Sequence, residues 1–190
     1  MTPLKRLVAA GLIAAVTLTA APPSESPRVS APVTNAEDWN FHAEASTLLD
    51  EIQSSSVRLT REAAILHSYP RMGLARISHA NQLTLVKEQV NQIGDRLNRL
   101  KAIRHAAAPW HQQAIDSVMP VAANLASNTT AAIQYVNGNN VLWLPEYTAM
   151  LENISVHSGQ LKDAVDVHLQ IEETRGRLEQ LRDRAATLGS

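Results

Sequence analysis

The amino-acid sequence predicts an all-α protein, an antiparallel up-down-up-down four-helix bundle with a long, overhanging fourth helix. Three observations predict it. Apolar residues recur at alternating spacings of four and three through four long segments, which lines them along one face of a helix. Ala, Leu, Gln, Arg and Glu are frequent while β-branched runs are scarce, a composition that favours helix over strand. The breaks between segments are short and fall at proline or Asn-Gly, so sequential helices must turn back on one another as antiparallel neighbours. A three-helix bundle with one helix detached is the alternative reading of the same stripes.

A chain of 190 residues has room for one domain with a hydrophobic core. Its 45% hydrophobic and 18% charged residues place it among globular rather than disordered chains. The 17 Lys and Arg are balanced by 18 Asp and Glu, no basic stripe is present, and nucleic acid is not an expected partner. The sequence has no cysteine, which removes disulfides, thiolate metal sites, covalent haem attachment and a lipoprotein anchor together.

Residues 1–21 read as a secretory signal peptide: Lys5 and Arg6 precede an apolar run from Leu7 to Thr19, and Ala20 and Ala21 offer small residues for cleavage. Leu18 at the −3 position and Pro22 after Ala21 make the cut ambiguous, so retention as an N-terminal anchor stays open, and only then is a membrane expected as a partner. The implied location is the periplasm or the cell exterior. Residues 22–35 carry four prolines and three serines without helical period and read as a disordered linker.

The bundle is expected over 36–188, with helices at about 36–67, 75–107, 109–137 and 146–187. The first stripe is Ala45, Leu49, Ile52, Ser56, Leu59, Ala63 and Leu66, and it should stop near Tyr69 and Pro70, because proline clashes with a continuing helix. The second is Leu83, Val86, Val90, Ile93, Leu97 and Leu100, continued by Arg104 and Ala107. Pro109 opens the third, whose stripe is Ile115, Val118, Ala122, Leu125, Thr129, Ala132 and Val136, closed by the turn Asn137-Gly138-Asn139-Asn140. Pro145 opens the fourth. Its stripe is Met150, Ile154, His157, Leu161, Ala164, His168 and Ile171, after which the phase shifts to Thr174, Leu178, Leu181, Ala185 and Leu188. The charged tail over 170–188 is read either as a solvated helix end or as a coiled-coil contact for a second copy or another protein. Gly94, Pro120 and Gly159 fall at one mid-height level, a weak waist where a bend or a ligand gap is expected.

Catalytic signatures are missing from the sequence: it holds no phosphate loop, no nucleophile elbow and no H-E-x-x-H. None of the seven histidines follows a glutamate by three residues, which excludes the di-iron carboxylate bundles. The chain therefore reads as a non-enzymatic interaction or structural protein. The alternative is a ligand- or metal-binding bundle, sensor-like or carrier-like. Its metal version rests on His42, His111 and His168, which continue inward stripes and, at about 1.5 Å rise per residue, fall at similar heights. Three imidazoles there, with Glu172 or Asp116 nearby, suit a divalent transition metal, although Arg104 would repel a cation and a wet end layer explains the same residues. His79 and His157 read as lone core histidines. The aromatics gather at the ends, with Trp39, Phe41 and Trp110 below and Tyr69, Tyr135, Trp143 and Tyr147 above. Rings plugging the bundle explain this, and the upper four also define a candidate site for a small hydrophobic ligand or peptide.

Overall fold

Every regular element in the computed structural model of the protein is helical; it describes residues 36–188, with side chains from Phe41 onward. The leader and linker expected over 1–35, and the side chain of Trp39, lie outside the described residues. Among the described residues four α-helices follow in order: α1 (Ala36–Met72), α2 (Arg76–Ile103), α3 (Pro109–Asn137) and α4 (Pro145–Leu188), with a 3₁₀ turn at Arg104–Ala106 between α2 and α3. Each helix packs on its two neighbours in the cycle α1, α2, α3, α4. Because α4 packs on both α1 and α3, no helix is detached.

Cross-helix bonds give the directions. Glu44, Glu51 and Gln89 meet Arg99, Arg96 and Arg58 respectively, so α1 and α2 run opposite ways. On α3 and α4, Ser117 meets His168 and Asn128 meets His157, again antiparallel. Thr60 and Ser46 reach Ser158 and Glu172 from α1. The joins at 73–75 and 138–144 thus share one end, the upper, and the join at 104–108 lies at the lower end.

The periodicity places the core of the first three helices. All seven stripe residues of α1 are buried, as are Leu83 through Leu100 on α2 and all of the α3 stripe but the half-buried Ala122. The fourth stripe needs correction. Ile154 and Leu161 are buried, but the column beside them is Tyr147, Leu151, Ser158 and Val165, while Met150, His157 and Ala164 are half-buried flanks. Both candidate columns carry apolar residues at helical spacing, and packing selects the one whose Ser158 lies against α1. Thr60 Oγ1 is 3.2 Å from the Ser158 carbonyl, an approach that a larger residue at 158 would hinder.

α1 also runs further than expected, through Pro70 to Met72. Proline in the last turn removes only the bond its N–H would have given to Leu66, and the helix is closed two residues later by a Schellman cap. Gly73 has φ +62°, its N–H reaches Pro70 O at 3.3 Å, and Leu74 N–H reaches Tyr69 O at 3.5 Å. At the end of α3 the left-handed residue is Asn139, φ 57°, rather than Gly138. At the waist α3 continues through Pro120, leaving the Asp116 carbonyl without its intrahelical donor. A groove of about 190 Å³ runs beside it between α2 and α3, lined by Gly94, Leu97, Met119 and Ala122.

These positions fix the sign of three substitutions. A methyl group at Gly94 meets nothing within 4 Å, so Gly94→Ala should raise stability by about 1 kcal/mol. Pro120→Ala, which restores a helical donor at an exposed site, should raise it by up to about 3 kcal/mol. Gly73→Ala should lower it by about 1 kcal/mol, because an L side chain is strained at positive φ. Urea unfolding of the three variants checks both signs and order.

Candidate functional site

At the lower end the antiparallel packing brings the start of α1, the start of α3 and the second half of α4 together. The His42 ring stacks on Trp110 with centroids 5.8 Å apart and lies 5.7 Å from the ring of His111. Arg175 places its guanidinium 4.7 Å from the Trp110 centroid, a cation–π contact from α4 to the first turn of α3. Ser46 Oγ bonds to Glu172 Oε1, and lies 3.0 Å from the His42 carbonyl and 3.4 Å from His111 Nε2. Glu172 Oε2 is 3.5 Å from the same nitrogen.

Burial governs the charge state here. His111 is 1% exposed, and desolvation pushes its pKa below the ordinary histidine value against the opposing pull of Glu172. Partial burial, and next the charge of Glu172, hold the Asp50 carboxyl above its usual range. Nε2 of His111 is the ring nitrogen that faces Ser46 and Glu172. Nδ1 of His42, His111 and His168 and Nε1 of Trp110 are buried without a hydrogen-bond partner among the described residues. Of these, the Trp110 N–H is a donor by its chemistry, and a buried donor left unmet costs on the order of 1–3 kcal/mol.

The three histidines singled out from the sequence do not act as one set. His42 and His111 touch, whereas His168 directs Nε2 to Ser117 Oγ at 2.8 Å. Among the described residues no group of three or more His, Cys, Asp or Glu is arranged to hold a metal ion. Arg104 and Asp116 are spent on each other, in a two-pronged ion pair at 2.9 and 2.5 Å. Nor does the Ser46, His111, Glu172 group form a proton relay. A relay needs the carboxylate on the imidazole nitrogen opposite the hydroxyl, and here both sit at Nε2.

At the upper end Tyr69, His79, Tyr147 and Tyr135 form a continuous column, with successive ring centroids 5.4, 5.5 and 5.2 Å apart. His79 Nδ1 is 3.0 Å from the Tyr147 hydroxyl, so one proton serves the pair. Burial pushes the Tyr147 phenol above the ordinary tyrosine range and the His79 ring, also next to Arg76, below the histidine range. Arg76 caps α3, donating to Val136 O at 2.6 Å and Asn140 O at 2.7 Å.

The four aromatics proposed as a ligand site are therefore divided. Tyr135 and Tyr147 are core, and Tyr69 is half-buried with its hydroxyl on Gln82. Trp143, 77% exposed, stands apart on the rim of a cleft of about 360 Å³ whose wall is Leu74, Arg76, His79, Val141 and Leu142. His79, expected as a lone core histidine, is buried; what the sequence did not disclose is its bond to Tyr147 and its place between two rings of the column. The signal for that place is register, since the residue sits one helical step from Leu83 and opposite two tyrosines at the same height.

The third feature is the outer face of α4. Val167, Ile171, Thr174, Leu178, Leu181, Ala185 and Leu188 follow at spacings of four and three, and all are exposed; Leu178, Leu181 and Leu188 are 61%, 60% and 90% accessible. From Glu173 onward every described residue of α4 is exposed. Comparison with known proteins gives no match, whether to a family model, a curated protein or a solved structure. Among the described residues no helix is long and apolar enough to cross a membrane.

The buried imidazoles give stability a pH dependence. His79, His111 and His168 all have native pKa values lowered from 6.5, so below that value the unfolded chain binds protons the native state refuses. Stability should be flat above about pH 6.5 and fall as the pH drops through the lowered native values. His79→Gln and His111→Gln should each flatten that fall. Urea midpoints between about pH 5 and 8 measure it, and a slope unchanged in both variants would contradict the assignment.

Proposed function

We propose that the protein is an exported, non-enzymatic interaction protein that holds a partner along the outer face of α4. The observation that carries this reading is the exposed seam from Val167 to Leu188. A helix end that is merely solvated has no reason to keep three leucines in heptad register after leaving its neighbours, because each exposed leucine costs solubility without stabilising the fold. Export rests on the charged and apolar pattern of residues 1–21, and the periplasm or cell exterior is the compartment it implies. The four helices supply the platform: they orient the seam while their own stripes are used internally.

A second reading has its own observation. The upper cleft, with apolar walls from Leu74, Val141 and Leu142 and the exposed Trp143 at its rim, has the size of a small-ligand site. A ligand-binding bundle of this kind is stabilised by its ligand in proportion to concentration over Kd, and Trp143 fluorescence reports occupancy directly.

The seam reading is tested with Leu178→Asp/Leu181→Asp. Both positions are exposed, so unfolding free energy should stay within about 0.5 kcal/mol of the parent chain. Association with the cellular partner, recovered by crosslinking from a residue next to the seam, should be lost. A double variant that still crosslinks to the same partner would overturn the proposal.

A further inference from the structure

The seam is bordered by one sign of charge. With Ile171, Leu178 and Ala185 at heptad position a and Val167, Thr174, Leu181 and Leu188 at d, the flanking e positions are Arg175 and Arg182 and the g positions Arg177 and Arg184. The acidic residues of the same stretch, Glu172, Glu173, Glu179 and Asp183, fall at b, c and f, away from the seam. Helical projection at about 100° per residue puts the seam on the side opposite the buried column of Leu151, Ile154, Ser158, Leu161 and Val165. The phase shift at Ile171 is therefore a change of face, from one that packs inward to one that looks out.

This border selects among occupants. In a parallel pair with a second copy, g of one heptad meets e of the next, which sets Arg177 against Arg182; an antiparallel pair sets e against e and g against g, again arginine against arginine. Like charges facing across a seam oppose pairing. Nor does the stretch suit an anionic lipid surface. Its four arginines are matched by four carboxylates, and its apolar face has no aromatic residue to anchor at the headgroups. What remains complementary is a helix with an apolar seam and carboxylates beside it. The guanidinium groups of Arg182 and Arg184 make no hydrogen bond or ion pair among the described residues, while that of Arg177 is paired within its own helix to Glu173 at 2.5 Å. Arg175 lies on Trp110, which fixes the start of the seam to the bundle.

We infer that α4 binds, through its seam from Val167 to Leu188, an amphipathic helix of a different protein whose apolar stripe is flanked by Asp or Glu, forming a heterotypic coiled coil. The inference rests on the seam reading above and adds the charge of the partner. Arg182 and Arg184 are its specificity-determining residues, and Leu178 and Leu181 supply the apolar contact.

The test uses the full chain, the Leu178→Asp/Leu181→Asp variant and an Arg182→Gln/Arg184→Gln variant. The probes are three labelled three-heptad peptides with the same Ile and Leu seam and with Glu, Gln or Lys at every e and g position. Fluorescence anisotropy at low and high salt gives the affinities, sedimentation gives the oligomeric state of the chain alone, and flotation with phosphatidylglycerol vesicles tests lipid. The Glu peptide should bind about tenfold more tightly than the Gln peptide at low salt, the Lys peptide should not bind, and the advantage should shrink with salt and with Arg182→Gln/Arg184→Gln. Binding should vanish in the leucine variant. Equal affinity for Glu and Gln peptides would overturn the charge inference and leave a seam that docks without charge selection. Self-association, or vesicle binding, that the leucine variant abolishes would overturn the inference in favour of a second copy or of a membrane. No binding to any peptide, to itself or to vesicles would overturn both the inference and the seam reading.

Discussion

Burial of one apolar stripe from each of four helices holds this molecule together, and everything else is placed by it. No disulfide reinforces the fold, so the aliphatic layers carry the load, each fully buried Leu, Ile or Val contributing about 1.5–3 kcal/mol against exposure. At mid-height the layers narrow to hydroxyl residues. Ser56, Thr129 and Ser158 are buried, and each returns its hydroxyl proton to a carbonyl three or four residues back, at 2.8, 2.8 and 2.7 Å. Their polar atoms are satisfied within their own helices, so these positions act as small spacers that let α1 and α4 approach. The antiparallel order then dictates which residues share a layer, and hence the chemistry of both ends.

The two ends solve the same problem differently. A bundle's terminal layers splay, and large rings fill the gap. The upper column is closed and paired, with Tyr147 and His79 sharing a proton and Gln82 bridging Tyr69 to Glu62. The lower cluster leaves buried nitrogens of His42, Trp110, His111 and His168 without partners among the described residues, which makes it the less stable layer per ring buried. That same layer secures α4 where it parts from α3. Glu172 is held by Ser46 beside His111, and Arg175 by Trp110, the second residue of α3. Whatever the outer half of α4 engages, its orientation relative to the bundle is set by these contacts.

How far the sequence discloses this depends on how many answers a stripe allows. On α1, α2 and α3 the stripe read from the four-and-three spacing is the column that packing buries, Ala122 apart, with apolar flanks such as Leu48, Met119 and Ile133 packed beside it. On α4 two adjacent columns are both apolar, and the choice of Leu151, Ser158 and Val165 over Met150, His157 and Ala164 is made by the fit against α1, which no single-helix pattern contains. The histidines show the same limit. Similar height put His42, His111 and His168 in one layer, and the layer is real for the first two, but a ring direction depends on rotation within a few tens of degrees. His168 turns to Ser117 instead. Pro70 was legible as a helix end within one turn; the actual stop is decided by Gly73, whose positive φ supplies the cap.

The change of face at Ile171 separates the two uses of the longest helix. Above it, the column of Tyr147, Leu151, Ile154, Leu161 and Val165 points to the core and replacement there would be felt as lost stability. Below it, a seam of the same four-and-three spacing but on the opposite face points away from the core, with arginines at its edges and carboxylates behind. Stability cannot account for this arrangement, since residues exposed in the isolated chain contribute little to its folding. Nor does generic solubility account for it, because a solubilising helix end mixes its charges and interrupts its leucines. Segregated charge around an intact apolar stripe is the pattern by which one helix discriminates among others, admitting a complementary border and rejecting its own. If α4 binds the partner proposed for it, the bundle is the support that displays the helix.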